Sequence, residues 1–497
     1  MTWLLAAVCA FATVPAGLRW LRVAQREHYL PPAVATFAGR WWTSGAVNQA
    51  LLLVMLIGLV GSWWSPWWGL LVAAAQLGPV GLSVRGRTSP LAWTGRLRRV
   101  ATLAGALVLV VYWVGAAVGS GSMVVLGLIL LPALIDLALL ALAPIERKLG
   151  KRWVEQATAR LKASGAKVVA ITGSYGKTTT KLYVAHLLAG SFRTVASPAS
   201  FNNRMGLARA INEHLVPGTE VFVAEMGAYG PGEIAELTSW IPPDVSALVA
   251  VGPVHLERFK TEERIVAAKA EILDRAEVAV IAVDHPLLAA LAAERAAGME
   301  VITVSAHDSN AMVAIGDGVI RLDGAEVGKT PDSVFEVNLA VALGIGLALG
   351  LPLSELTSRL DGLPRVEHRQ NATTSDRGFT VIDDTFNSNP AGARSGLTLL
   401  SRLGSEGRTV VVTPGMVELG PVQFAENRDF AAEAAALVDH LVIVGATNRR
   451  ALLEGSGRGR ASVTVVPSRE RAVEWVRENL GPGDAVLYEN DLPDHYP

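Results

Sequence analysis

The stretch whose reading decides the fold is Val168–Lys181, VVAITGSYGKTTTK. An apolar, β-branched run is followed by the turn Gly173-Ser174-Tyr175-Gly176, then by Lys177 and three threonines, Thr178 to Thr180. That order predicts a strand, a tight turn and a helix, so that backbone N–H groups and a helix N-terminus converge on phosphate oxygens. In such a loop the lysine reaches the β- and γ-phosphates, and the next hydroxyl, here Thr178, ligates Mg²⁺. The loop is shorter than usual, with only positions 174–176 between Gly173 and Lys177. The plain alternative is a strand–helix turn carrying a surface lysine. The strand before it and the helix after it favour the phosphate reading.

Upstream of the loop the chain is almost unbroken hydrophobic sequence to about residue 143. Hydrophobic residues make up 51% of the 497, with mean hydropathy +0.36, which points to a part of the chain in lipid. The net charge of −1 gives no global field to recruit nucleic acid. Cys9 is the single cysteine, so no internal disulfide and no cysteine metal site can form. Five spans are expected, at roughly 3–18, 45–63, 67–84, 100–118 and 122–143, each near the ~20 residues that cross a bilayer core. The first could be a signal peptide, but Arg19, Arg22 and Arg26 follow it and no basic residue precedes it, the wrong polarity for cleavage.

Arginines set the orientation. Arg19, Arg22, Arg26 and Arg40 follow the first span, and Arg85, Arg87, Arg96, Arg98 and Arg99 follow the third. Positive loops stay in the cytoplasm, so the expectation is a multi-pass cell-membrane protein with its N-terminus outside and everything after Arg147 inside. Trp63, Trp64, Trp67 and Trp68 would form an outer interfacial belt. Asp136, an acid within a span, is a functional candidate by default, with helix packing as the plain alternative.

Residues 144–164 read as a connecting helix. Downstream, VFVAEM, SALVAV and VAVIAV alternate with amphipathic segments, which implies parallel strands with crossover helices. The Gly- and Pro-punctuated stretch 350–364 marks a boundary. After it FTVIDD, TVVVTPG, HLVIVG and DAVLY give a second α/β unit. The expected architecture is multi-domain: a helical transmembrane bundle (1–143), a linker helix (144–164), an α/β P-loop central domain (165–355) and an α/β Rossmann-like C-terminal domain (360–497).

Further chemistry lies along the chain. Glu225 ends the VFVAE strand, where an acid beside a phosphate loop can hold Mg²⁺. His255 follows another strand in VAVGPVHLERF; a lone histidine in such a place is commonly structural. The segments TGSYGKTTTK, SFNNRMGLARA, VAEMGAYGPGEIAELT, VGPVHLERFKTEERIVAAKAEIL, FEVNLAVALGIGLALGLP, EHR (367–369) and VIDDTFNSNP (381–390) occur in this order. Together, over about 168–490, they resemble the Mur ligase family of ATP-dependent amide ligases, most of all its branch that adds D-alanyl-D-alanine to the peptidoglycan precursor.

The resemblance implies ATP and Mg²⁺ as cofactors, and it implies roles. Gly173, Ser174, Gly176, Lys177, Thr178 and Thr179 would cradle the nucleotide phosphates. Thr178, Glu225 and His255 would serve the metal. Lys269 falls where the family carries a carbamylated lysine. Asn338 would contact adenine, Arg369 the phosphates from the C-terminal domain, and Asp384 the ribose. Asn202, Asn203 and Asn387 match substrate-side segments. Lys177, His255, Lys269 and Arg369 are the catalytic set. The implied reaction is activation of a carboxylate as an acyl phosphate, followed by attack of an amine.

There are departures. The family's UDP-sugar domain has no match here, and the spans stand in its place. TPGMVELG (413–420) matches only in part, no KGSR-type segment is seen in AVLYENDLPDHYP, and Val334 stands where a histidine is frequent. The expectation is thus a membrane-anchored ligase of cell-wall precursor synthesis acting on a small-molecule or lipid-linked peptide or sugar substrate. A poly-γ-glutamate-type polymer ligase, an ATP-driven transporter and a non-catalytic scaffold are the alternatives.

Overall fold

The computed structural model describes residues 1–497 except 87–89, 332–333, 365–368, 387, 405–406, 494 and 497. Arg87, Glu367, His368 and Asn387 therefore lie outside the described residues.

The N-terminal module contains α1 (Thr2–Arg26), α2 (Ala33–Thr43), α3 (Gly45–Gly61), α4 (Gly69–Ala75), α5 (Gly95–Ala117), α6 (Gly121–Ile129) and α7 (Leu131–Ser164). Among the described residues, α1 and α5 are long and apolar enough to cross a membrane; the number rises to four if α2 with α3, bent by 107°, and α6 with α7, bent by 64°, each count as one span. This corrects the five-span expectation. The stretch 67–84 holds only a 3₁₀ turn at Pro66–Trp68 and the seven-residue α4. The helix ends at Ala75, and the chain runs on without helix through Gly78-Pro79, where proline lacks the N–H that a continuing helix would use. The first helix is also longer than the expected 3–18 span.

Asp136 proves to be a helix cap. Its carboxylate accepts from Val34 N at 3.3 Å and Ala35 N at 2.8 Å, meeting the open N-terminus of α2 from α7. The expected linker helix is the lower part of α7, unbroken over 34 residues with Pro144 inside it. Val154, Ala157 and Leu161 of α7 are buried in the core of the next domain. Arg160 donates to Leu215 O at 2.7 Å and 3.1 Å.

That domain is built on nine strands: β1 (Lys167–Thr172), β2 (Thr194–Ala196), β3 (Val221–Glu225), β4 (Val245–Leu248), β5 (Val278–Ala282), β6 (Glu300–Ser305), β7 (Val313–Gly316), β8 (Val319–Leu322) and β9 (Ala325–Lys329). Their order is β2-β3-β1-β4-β5-β6-β7-β8-β9, parallel through β7 and antiparallel beyond. β1 pairs with β3 on one side and β4 on the other. The winding reverses there, which opens a crevice at its carboxyl end.

The C-terminal domain holds β10 (Asn371–Thr374), β11 (Thr380–Asp384), β12 (Thr409–Thr413), β13 (His440–Val444), β14 (Ser462–Val466) and β15 (Ala485–Glu489), in the order β10-β11-β15-β12-β13-β14. Among the described residues only β10 runs antiparallel to its neighbour.

Candidate active site

From Thr172 the chain turns within four residues into α8 (Lys177–Leu188). Gly176 makes the turn at φ +81°, and a Cβ there would lie 2.4 Å from Asn338 Nδ2, so glycine is required twice over. The loop is fastened to the exit of β4: Ser174 N donates to Ala250 O at 2.7 Å, and Ser174 Oγ donates to Gly252 O at 3.2 Å.

Three cations meet at this loop. Lys177 Nζ donates to Gly173 O at 2.7 Å, and Lys269 Nζ donates to the same oxygen at 3.0 Å. Lys269 is 3% exposed. Its burial, and then Lys177 beside it, hold its pKa well below the ordinary lysine value. Burial lowers Lys177 too, with Glu225 opposing and Arg369 adding to the shift. Arg369 comes from the C-terminal domain; burial lowers its pKa against the pull of Asp384 and Glu225. Arg369 Nε and Thr172 Oγ1 are buried without a hydrogen-bond partner. Crowded cations with orphaned donors fit a bound polyanion such as a nucleotide triphosphate.

Glu225 ends β3 and is buried. Its Oε2 accepts from Thr178 Oγ1 and from Lys181 Nζ, both at 3.0 Å, and its Oε1 accepts from Asn202 Nδ2 at 3.2 Å. The carboxylate and the Thr178 hydroxyl form a hard oxygen pair that fits Mg²⁺. Across the cleft Asp384 ends β11. Burial pushes its pKa up to about 6, although Arg369 and Gln370 pull it down.

A family model for the Mur ligase middle domain matches residues 171–342, and one for the Mur ligase glutamate ligase domain matches 365–488. The UDP-N-acetylmuramoyl-tripeptide–D-alanyl-D-alanine ligase of Mycobacterium tuberculosis strain H37Rv is 32% identical over 375 residues, 66% of this chain and 71% of that protein. The chain belongs to the Mur ligase family. The Bacillus subtilis ligase of the same name is 25% identical over 349 residues, 67% of this chain and 75% of its own length. Among solved structures, MurF from Thermotoga maritima in complex with ADP shares the fold at TM-score 0.58 and 24% identity, covering 68% of this chain and 80% of that one. As a Mur ligase the protein is an ATP-dependent acid–amino-acid ligase.

In this Mur ligase the residues read from the sequence fall into two groups. Gly173, Ser174, Gly176, Lys177, Thr178, Glu225, Lys269, Arg369 and Asp384 gather around the loop, with Asn202 on Glu225. Thr179 is buried in the first turn of α8.

Three others are placed differently. His255 Nδ1 is bonded to Glu418 of the C-terminal domain. No group of three or more His, Cys, Asp or Glu side chains forms a metal cage among the described residues. Asn338, expected at adenine, gives its amide to Gly176 O at 2.8 Å and Thr180 Oγ1 at 2.9 Å, because the left-handed turn leaves a carbonyl in need of a donor. Asn203 caps the helix Arg204–His214, accepting from Gly206 N at 2.9 Å.

The sequence reading also passed over residues with a part in the site. Lys181, buried on Glu225, lies one helical turn after Lys177 on the same face, and that spacing was its signal. Glu418 pairs with His255; burial opposes its ionisation, but His255 and Arg258 leave its pKa below the ordinary value. The partial match of TPGMVELG hid it. Glu489, at the end of β15, is fully buried and accepts from Ser388 and Thr413. Burial pushes it up to about 7.

Proposed function

We propose that this Mur ligase is held in the cell membrane, with its ligase domains in the cytoplasm, and joins D-alanyl-D-alanine or a similar dipeptide to the peptide carboxylate of a cell-wall precursor. The observation that carries the reaction is the 32% identity to D-alanyl-D-alanine-adding ligases, which extends across both ligase domains. Support for the membrane comes from the exterior of the N-terminal module, where Phe11, Val14, Leu56, Val60, Leu109 and Trp113 are exposed on helices with little charge. Trp63 and Trp64 are 78% and 79% exposed at a turn, suited to an interfacial belt.

The chemistry balances in two steps. A carboxylate oxygen of the precursor bonds to the γ-phosphorus of ATP, and the bond to ADP breaks. The dipeptide amine then bonds to the acyl carbon, phosphate leaves, and the amine gives up its proton. Lys177 and Arg369 hold the phosphates and offset the charge that spreads over the transferring group, and Lys269, as a carbamate, helps to position Mg²⁺ beside them. Mg²⁺, with Thr178 and Glu225 as its ligands, adds charge neutralisation when bound. We assign Asp384 to the ribose.

Upstream of the matched middle domain the chain carries the apolar module, and α7 ties the ligase to it. We therefore assign the carboxylate substrate to the membrane surface, as a lipid-linked precursor. Confinement there raises its effective concentration. The test offers the full-length protein in bilayers a soluble UDP-linked and a lipid-linked peptide precursor, each with D-alanyl-D-alanine and ATP, and measures ADP release and product. Faster turnover of the lipid-linked precursor is expected. Equal turnover of both removes the lipid assignment, and turnover of neither removes the substrate class.

A further inference from the structure

α1 ends at Arg26, and the chain then reverses through His28 at φ +56° and Tyr29 at φ +61°, a left-handed conformation that non-glycine residues rarely adopt. Such strain persists only where surrounding contacts enforce it. Here the Arg96 guanidinium lies 4.4 Å from the Tyr29 ring centre, and Gln25 Nε2 donates to Tyr29 Oη at 3.1 Å. The result is that two side chains of the N-terminal module are aimed at the ligase.

Glu27, 8% exposed, accepts from Arg258 at 3.1 Å. His28 Nε2 lies 3.1 Å from Tyr229 Oη. Tyr229 follows Glu225 by four residues in the loop leaving β3. Its ring meets that of His255 edge-on at 4.9 Å, with the Arg258 guanidinium 5.1 Å from its centre. Tyr229 therefore links His28 to the His255-bearing segment directly, and Glu27 reaches the same segment through Arg258.

We propose that Glu27 and His28 are positioning residues of the ligase site, holding Tyr229 and the His255-bearing segment in place so that the N-terminal module completes the cleft as well as carrying it. This rests on the ligase reading proposed above, in which the His255-bearing segment borders the cleft. Neither residue lies in the region matched by the family models, which begins at residue 171.

The test compares full-length wild type with Glu27→Ala, His28→Ala, His28→Gln and Tyr229→Phe in one bilayer preparation. Hydrogen exchange over residues 226–232 and 253–260 should quicken about tenfold in Glu27→Ala and His28→Ala, while 168–181 and ADP affinity hold within about twofold. With whichever precursor the wild type turns over, KM for that precursor should rise about tenfold in His28→Ala and KM for ATP should stay put. His28→Gln, whose amide can reach the same hydroxyl, should restore most of the loss. The His28→Ala, Tyr229→Phe pair should be no worse than either alone. Unchanged exchange over 253–260 overturns the proposal, as does an equal rise of both KM values. If the wild type turns over no precursor, the substrate assignment fails, and the exchange result still decides this one.

Discussion

Around the phosphate loop Lys177, Lys181, Lys269 and Arg369 crowd onto two carboxylates, Glu225 and Asp384. At the junction of the three modules the charges are matched: Glu27 with Arg258 and His495, Arg40 with Glu257, Glu418 with His255. In the first cluster burial comes first in lowering the pKa values of Lys177, Lys269 and Arg369, and the charges of neighbouring cations add to it at Lys177 and Lys269, an arrangement that a further anion would relieve. The second pairs its carboxylates within the protein and serves position. The difference separates residues that exist for a ligand from residues that exist for the fold.

The sharpest way to break the comparison is Lys177→Ala. It removes a charge bonded to the loop carbonyl of Gly173, and the protein should stay folded while ATP turnover falls about 10²-fold or more, read as ADP release beside circular dichroism. Wild-type turnover would mean that the cation excess has no ligand. Lys269→Ala comes next. A lysine held well below its ordinary pKa presents the neutral amine that reacts with CO₂. The variant should be nearly inactive, on the order of 10²-fold down, and partly rescued by short carboxylates that restore an anion. Full activity at low bicarbonate would remove carbamylation.

At the junction, Glu27→Ala leaves Arg258 and His495 without their shared acceptor. The expected loss is about 3 kcal/mol of stability, seen in the unfolding midpoint, with ADP affinity retained. A smaller effect distinguishes Glu489. Its pKa in the fold is about 7, above the ordinary carboxylate value, so its contribution is fully present below pH ~4.5 and is lost as pH rises through about 7. Glu489→Gln should therefore gain on wild type above pH 7, by about 1 kcal/mol after the altered bonds to Ser388 and Thr413 are counted. A gap that does not change with pH would refute the buried ionisation. The smallest effect belongs to Arg209→Ala. Arg209 and Glu213 form an exposed pair at 2.8 Å one turn apart, worth about 0.5 kcal/mol or less.

The same contrast explains what the sequence revealed. The loop is contiguous: strand, glycine turn, lysine and helix are neighbours in the chain, so VVAITGSYGKTTTK exposes its geometry directly. Strands such as Val221–Glu225 and Thr409–Thr413 were legible because both faces are buried and the runs are uniformly apolar. The short hairpin strands Val313–Gly316 and Val319–Leu322 carry no such run and were missed. Helix α4 misled because composition shows apolarity and not length: the helix ends at Ala75, and the hydropathy runs on past it. For Asn203 and Asn338 a motif records the residue and not the direction of its amide, and the fold engages both with the backbone. The junction could not be read at all. Glu27 and His495 lie 468 positions apart, and nothing in either neighbourhood names the other.

Helix α7 has one more consequence. It runs unbroken from the apolar bundle to the helix Arg204–His214, where a Cβ on Gly150 would come within 2.9 Å of Met205 Sδ. A continuous helix behaves as a threaded shaft: one extra residue turns everything beyond it by about 100° and advances it by about 1.5 Å. The bundle is gripped at both ends of this shaft, by the α7 contacts to the ligase and by the Glu27 and Arg40 ion pairs across the junction. Those grips agree only at one angular phase. The length of α7, counted to the single residue, is thus a specification of the ligase cleft as much as of the bundle.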